Sequence, residues 1–269
     1  MTQNTNIERV NTLLYRSDRI YDSIDEVIDG EPRYRRMLRM GMNMAAISLN
    51  KGYTVSEVGG MLIRLPHNAA PITGPLDALS NQYADVKRAT IDRDGERETD
   101  ARHAIHLMKL AVPYAREYYP RLDTPKVAAY ALIHDLVEAY ADDVSSLGIS
   151  VEQKLAKDLA EAQAIETLKE EYGDRWPELV ALVENYEALE DPEARFNKTF
   201  DKLDPGFTHF YSRGAQLRSR YNFTRESFLV AIDETTERMA AYSSEFPLLM
   251  DDRDELTRRV ADIAYPKAA

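Results

Sequence analysis

Two histidines and two aspartates stand apart from the rest of the chain: His103, the adjacent pair His134-Asp135, and Asp201. Imidazole nitrogens and carboxylate oxygens of this kind form a ligand set for one divalent transition metal. The middle pair falls in TPKVAAYALIHDLVEAYADD, an apolar stretch with helical patterning. A carboxylate in such a setting needs a partner, because burying it unpaired is costly. A metal ion would satisfy His134 and Asp135 together, and it would also activate water for hydrolysis.

The neighbours strengthen this reading. Adjacent helical residues point about 100° apart, so both members of an HD pair can reach one ion only at the edge of a pocket. Glu138 lies one turn after His134 on the same face, and Asp142 and Asp143 follow at or just past the expected helix end. Another histidine pair, His103 and His106, precedes it by about thirty residues, and either of the two could be the ligand. His67 and His209 read as structural or solvent-facing. Asp201 lies beside the apolar face formed by Phe196, Phe200 and Leu203. It is preferred to Asp204, whose Pro205-Gly206 successors mark a bend.

Helical periodicity covers residues 6–29, where Ile7, Val10, Leu13 and Leu14 begin one apolar stripe. A second helix is expected from Tyr34 to about Asn50. Residues 53–65 fit either a short helix opened by Thr54 or Ser56 or a short strand pair. Residues 66–80 read as a loop because of Pro66, Pro71, Gly74 and Pro75. From residue 77 onward the pattern is helical nearly to the end. His103 and His106 fall on a helix over 98–119. Asp123 or Thr124 caps a helix running to about residue 141 and carrying His134-Asp135, with Pro125 in its first turn. Ser150 and Gln153 resemble a capping box opening a helix that ends near Gly173. Further helices are expected at 176–189, 193–213, 224–243 and 251–263. The expected fold class is all-α.

The chain has 269 residues, of which 44% are hydrophobic and 30% charged, so a sizeable core can form in one large domain or one domain with an extension. No apolar run approaches the ~20 residues that span a membrane, and the N-terminus lacks a signal-peptide pattern. A cytoplasmic setting is expected. With no cysteine there is no thiolate metal site. A net charge of −12 argues against a nucleic-acid polymer as partner, but it allows a small phosphorylated substrate held by a few cations.

The order H…HD…D, with 31 residues from His103 to His134 and 66 from Asp135 to Asp201, resembles the HD-domain metal-dependent phosphohydrolases. The nearest resemblance is to the bacterial HD-domain 5′-deoxynucleotidases. Their first histidine ends a segment of the form E-x-V-(A/S)-E-H-S. Here ETDARH gives that place to His103, with Arg102 standing where the family has glutamate. The family's H-D-x-x-E matches His134, Asp135 and Glu138, and its following loop acid matches Asp143. Its last metal aspartate matches Asp201, three residues after Lys198. Its substrate arginine, fifteen residues before the first histidine, matches Arg88; the tryptophan that commonly follows is Ala89 here. The resemblance covers roughly residues 80–250.

The resemblance implies an HD-domain helical bundle over residues 77–269. Residues 1–76 would be an additional, mostly helical N-terminal extension, serving as a lid, an added layer or an oligomer contact. It implies one divalent ion (Mn, Co, Zn, Fe, Ni or Mg) held by His103, His134, Asp135 and Asp201. Glu138 would orient or deprotonate the attacking water. Asp143 would position water or protonate the leaving oxygen. Arg88 and Arg93 would neutralise phosphate charge, with Lys198 a weaker candidate for that task. The implied activity is phosphohydrolysis of nucleotides, most of all (deoxy)nucleoside 5′-monophosphates, in a protein expected to form a homodimer. The alternative within the superfamily is a deoxynucleoside triphosphate triphosphohydrolase. From another class, the alternative is a non-catalytic helical nucleotide sensor, against which the retention of Glu138 and Asp143 speaks.

Overall fold

The structure, a computed structural model, describes residues 5–66, 74–145 and 147–266. The chain starts with α1 (Asn6–Ile24), opened by a capping box in which Thr5 and Glu8 exchange side-chain-to-backbone hydrogen bonds of 3.3 and 3.2 Å. A hairpin of β1 (Val27–Ile28) and β2 (Glu31–Pro32) turns at Asp29-Gly30, both with positive φ, as a tight two-residue turn requires. α2 (Arg33–Asn50) and α3 (Val55–Ile63) follow. The segment that fitted helix or strand is thus helical, and its opening residue is Thr54, boxed with Glu57.

Beyond α4 (Asp77–Asp85), the expectation of unbroken helix fails. Residues 87–99 form an antiparallel hairpin of β3 (Lys87–Ile91) and β4 (Arg97–Thr99), turning at Gly95 with φ of +89°. The exposed edge of β3 is covered: the Ile91 N–H donates to the Gln216 side-chain carbonyl at 2.8 Å. Thr99 then caps α5 (Asp100–Tyr118). Asp123 caps α6 (Thr124–Ile133), as its sequence predicts.

Two expected long helices are each broken at a site residue. α6 stops at Ile133, and α7 covers only Glu138–Ala141. Between them the backbone tightens into i+3 turns, with Leu136 N–H on Ile133 O and Glu138 N–H on Asp135 O, both 2.9 Å. The apolar pattern runs straight through this break, so periodicity alone does not reveal it. The second break splits 193–213 into α10 (Pro192–Asp201) and α11 (Pro205–Tyr211). Pro205 has no N–H to bond the carbonyl of Asp201, and the helix restarts with the proline in its first turn.

The remaining helices are α8 (Val151–Tyr172), α9 (Pro177–Glu187), α12 (Ala215–Ser219), α13 (Arg225–Ser243) and α14 (Pro247–Ala264). α5 and α6 form the centre, and every residue of α6 from Val127 to Ile133 is buried. α3 lies so close to α6 that a Cβ on Gly59 would stand 1.7 Å from the Pro125 carbonyl oxygen. α1 packs on α5 and α14, and one clasp joins all three. Asp252 on α14 accepts hydrogen bonds from Arg9 Nε at 2.9 Å and from the Tyr114 hydroxyl at 2.7 Å. Residues of α1–α3 therefore share one hydrophobic core with the rest of the chain. No described helix is long and apolar enough to cross a membrane.

Candidate metal centre

The two helix breaks and the start of α5 meet. His103 sits one turn into α5, His134-Asp135 occupy the tightened turn after α6, and Asp201 is the last residue of α10. Their ligand-type atoms all lie within 4.8 Å of one another, and all four residues are buried. His134 Nε2 is 2.9 Å from Asp135 Oδ2 and 3.8 Å from Asp201 Oδ1. His103 Nε2 is 2.9 Å from Asp201 Oδ1 and 3.9 Å from Asp135 Oδ2. Ligands about 2.0–2.2 Å from a common ion stand roughly 3–3.5 Å apart, so these separations straddle that of a coordination sphere.

The hydrogen-bond pattern supplies an independent test of fit. His134 Nδ1 is 2.9 Å from the Ala131 carbonyl, which can only accept, so the proton belongs on Nδ1. In the neutral ring, the form that binds metals, Nε2 then carries the lone pair. It is buried, makes no hydrogen bond, and faces a carboxylate oxygen. Two acceptors in contact call for a cation between them. His103 Nδ1 likewise meets the Asp204 carboxylate at 2.9 Å, which turns its Nε2 toward Asp201 and Asp135. A carboxylate behind a ligating imidazole is the usual arrangement for fixing its tautomer. The residues present therefore fit a divalent ion with two nitrogen and two oxygen donors.

More negative charge surrounds this cluster than the four residues account for. Glu98, Asp100 and Glu138 are buried beside it. Burial pushes the Glu98 carboxyl up to about 7. Burial and the neighbouring Asp135 raise Asp100 and Glu138 above the usual carboxyl range. Arg88, on β3, answers part of this charge. Its guanidinium contacts Asp135 and lies 3.5 Å from Asp100, 3.6 Å from Glu98 and 3.8 Å from Asp201. Lys157, from α8, reaches Glu138 at 3.2 Å. Burial alone would lower this lysine, but Glu138 and Glu161 hold it above its ordinary value. Lys202 pairs with Asp201 at 2.7 Å.

The expected site residues divide clearly. His103, His134, Asp135, Asp201, Glu138 and Arg88 come together. Asp143 lines the same cleft, and its carboxylate accepts the Ala89 N–H, tying the loop after α7 to the strand that carries Arg88. Lys198 lines an adjoining cleft with His134, Asp135 and Glu138, its ammonium 5.4 Å from the centre of the Tyr186 ring. Arg93 goes elsewhere. At the tip of the β3–β4 hairpin it pairs with Asp18 at 2.9 Å and Asp22 at 3.3 Å on α1, and it does not line the cleft. Asp204 does more than mark a bend: it backs His103. His106 is outside the ligand set and bonds Asp204 at 2.8 Å. His209 is buried at the cleft wall, where burial pushes its imidazole down to about 4. His67 lies outside the described residues.

Sequence reasoning missed Lys157, Lys202, Glu98 and Asp100. Lys202 had a signal, being next to Asp201. Lys157 had none, because it sits on a polar helix whose docking is a tertiary matter.

The cleft encloses about 970 Å³ of empty space, open mouth included. Its polar end holds Arg88, Asp135, Glu138, Asp143, Lys157 and Lys202, and its other walls include Tyr221, Phe228, Ile232, Leu256 and Val260.

A family model described as an HD domain matches residues 81–242, more than half of the chain. The chain belongs to the HD domain family. A crystal structure titled as a predicted metal-dependent phosphohydrolase from Magnetospirillum magnetotacticum MS-1 is similar to this HD domain protein, with a TM-score of 0.50 and 28% identity. That similarity covers 67% of this chain and 89% of the other. No curated protein matches. The HD domain and this neighbour support a metal-dependent phosphohydrolase that uses a divalent ion.

Proposed function

We propose that this HD domain protein hydrolyses nucleotides, with (deoxy)nucleoside 5′-monophosphates as its principal substrates, at one divalent ion held by His103, His134, Asp135 and Asp201. The observation that carries the reading is the buried His134 Nε2, which makes no hydrogen bond and is set against Asp135 at the charged end of a cleft whose other walls are both apolar and polar. Such a cleft suits a phosphate at one end and, along the rest, a group with both flat apolar faces and polar edges, as a nucleoside has.

When bound, the ion withdraws charge from phosphorus and makes water a better nucleophile at neutral pH. Glu138 takes the proton from the attacking water. Burial and the neighbouring Asp135 raise its pKa, which makes it a stronger base than an ordinary carboxylate. Water oxygen bonds to phosphorus, the bond to the leaving oxygen breaks, and that oxygen takes up a proton. Asp143, bonded to Ala89, sets the position of the hairpin and lines the cleft, where it serves the leaving oxygen. Arg88, Lys202 and Lys198 neutralise the phosphate oxygens.

A triphosphate substrate is the second reading. It is favoured by the adjoining cleft, where Lys154, Lys157, Lys198 and Lys202 gather beside Asp135 and Glu138. The test is release of phosphate, pyrophosphate or triphosphate from a panel of nucleoside mono- and triphosphates with Mn²⁺, Co²⁺ or Mg²⁺. Phosphate released from monophosphates, and lost by at least about a thousandfold in Asp135→Ala, is the expected result. Triphosphate release would select the second reading. No release from any nucleotide by protein that carries a bound ion would overturn the nucleotide assignment, and absence of any bound ion would overturn the hydrolytic one.

A further inference from the structure

α1 lies outside the matched residues 81–242, yet a line of buried polar groups runs from it to a metal-ligand position. Ser17 Oγ is 3.0 Å from His106 Nε2, His106 Nδ1 is 2.8 Å from Asp204 Oδ1, and Asp204 Oδ2 is 2.9 Å from His103 Nδ1. Ser17, His106, Asp204 and His103 are each 0% exposed. The His106 ring is also stacked on Tyr21 of α1, with centroids 3.9 Å apart and planes 7° from parallel. The Tyr21 hydroxyl is in turn 3.2 Å from Thr208 Oγ1 on α11.

The direction of each proton follows from what the groups can do. An ionised carboxylate only accepts, so Asp204 assigns N–H to Nδ1 of both histidines. His106 Nε2 is then an acceptor, and the Ser17 hydroxyl donates to it. The far end of the line is His103 Nε2, a bare acceptor aimed at Asp201 and Asp135 whenever an ion replaces its proton. We propose that Ser17 and His106 are positioning residues for the metal centre, and that α1 is thereby a working part of it. Without them Asp204 loses one of the two partners that set its rotamer, and His103 loses its fixed tautomer. Outer partners of ligating histidines are worth about 10–100-fold in metal affinity. The proposal rests on His103 being a ligand and is independent of the substrate.

The test is Co²⁺ affinity of the full chain by titration calorimetry, with the His103 tautomer read by ¹⁵N NMR and folding checked by thermal melting. His106→Leu, which keeps bulk and removes both hydrogen bonds, is expected to weaken Co²⁺ binding about 10–100-fold. His106→Asn, which restores a donor toward Asp204, is expected to recover most of it. Should His106→Leu not fold, Ser17→Ala removes a single buried oxygen on α1 and is expected to weaken binding several-fold. Wild-type affinity in a folded His106→Leu, or in Ser17→Ala where that variant stands in, overturns the proposal. So does a drop in melting temperature with unchanged affinity. Wild-type protein that binds no Co²⁺ overturns the metal reading itself, whereas binding that is lost in Asp135→Ala but intact in His106→Leu overturns this proposal alone.

Discussion

α6 and α8 both serve the candidate site, and they are packed in opposite ways. α6 is buried from Val127 to Ile133 and delivers the ligand pair at its end. α8 has 22 residues and buries only Ala164 and Leu168, while Val151, Leu155 and Leu159 are 74%, 65% and 61% exposed. Yet α8 brings Lys157 to Glu138. The groups proposed to hold an ion, a task that demands placement to within fractions of an ångström, come from the dense core. The group that balances the charge of the proposed base comes from a helix held near the site largely by polar contacts. Local stability follows buried apolar contact, so α8 is the element expected to open first.

Disturbing the packed side gives the largest effects. Gly59→Ala drives a Cβ into the Pro125 carbonyl and forces α3 off α6; it is expected to cost about 3 kcal/mol in urea unfolding. A loss under about 0.5 kcal/mol would show that this side yields as readily as α8.

The packed block extends to α11, where His209 offers a pH probe. Its imidazole titrates at about 4 in the folded chain and near 6.5 when unfolded. As pH falls below that upper value the unfolded state takes the proton first, so stability declines until the folded state also protonates. The loss across the window is on the order of 3 kcal/mol. His209→Gln is expected to flatten the pH dependence of the melting temperature there, and an unchanged slope would assign the acid sensitivity to other groups.

On the α8 side, Lys157→Met is expected to leave stability within about 1 kcal/mol while lowering turnover about tenfold. Lys157 holds the Glu138 carboxyl down against burial and Asp135. Its loss raises that pKa further, so the acidic limb of the pH–rate profile moves to higher pH. A profile unmoved by the change would separate Lys157 from Glu138. The smallest effect is expected from Leu155→Glu, within about 0.5 kcal/mol; a larger loss in denaturation would mean that α8 is buried against something in solution.

The same contrast explains what could be read in the sequence. The candidate cluster was legible because His103, His134, Asp135 and Asp201, which the fold brings together, announce chemistry by residue type and order, whatever the backbone does. Caps were legible too: Asp123 and the Ser150/Gln153 box open the helices they predict, since capping is a local hydrogen-bond event. The hairpin over 87–99 was not, because five and three strand residues give too short a pattern to outweigh flanking helix signals. The helix breaks at His134 and after Asp201 were hidden by apolar periodicity that continues through them. The destination of Arg93 depends on Asp18 and Asp22, more than seventy residues earlier in the chain, and the role of Lys157 on how α8 docks.

The clasp at Asp252 has a bearing on how the chain is made. Arg9 and its carboxylate partner are separated by 243 residues of chain. At about 5–20 residues per second, synthesis leaves that gap open for roughly 12–50 s. α1 can settle on α5 during this interval, but its buried guanidinium is matched by Asp252 only when α14 arrives. Ser17 can therefore meet His106 on α5 before the clasp forms, whereas closure of the N-terminal layer waits for α14.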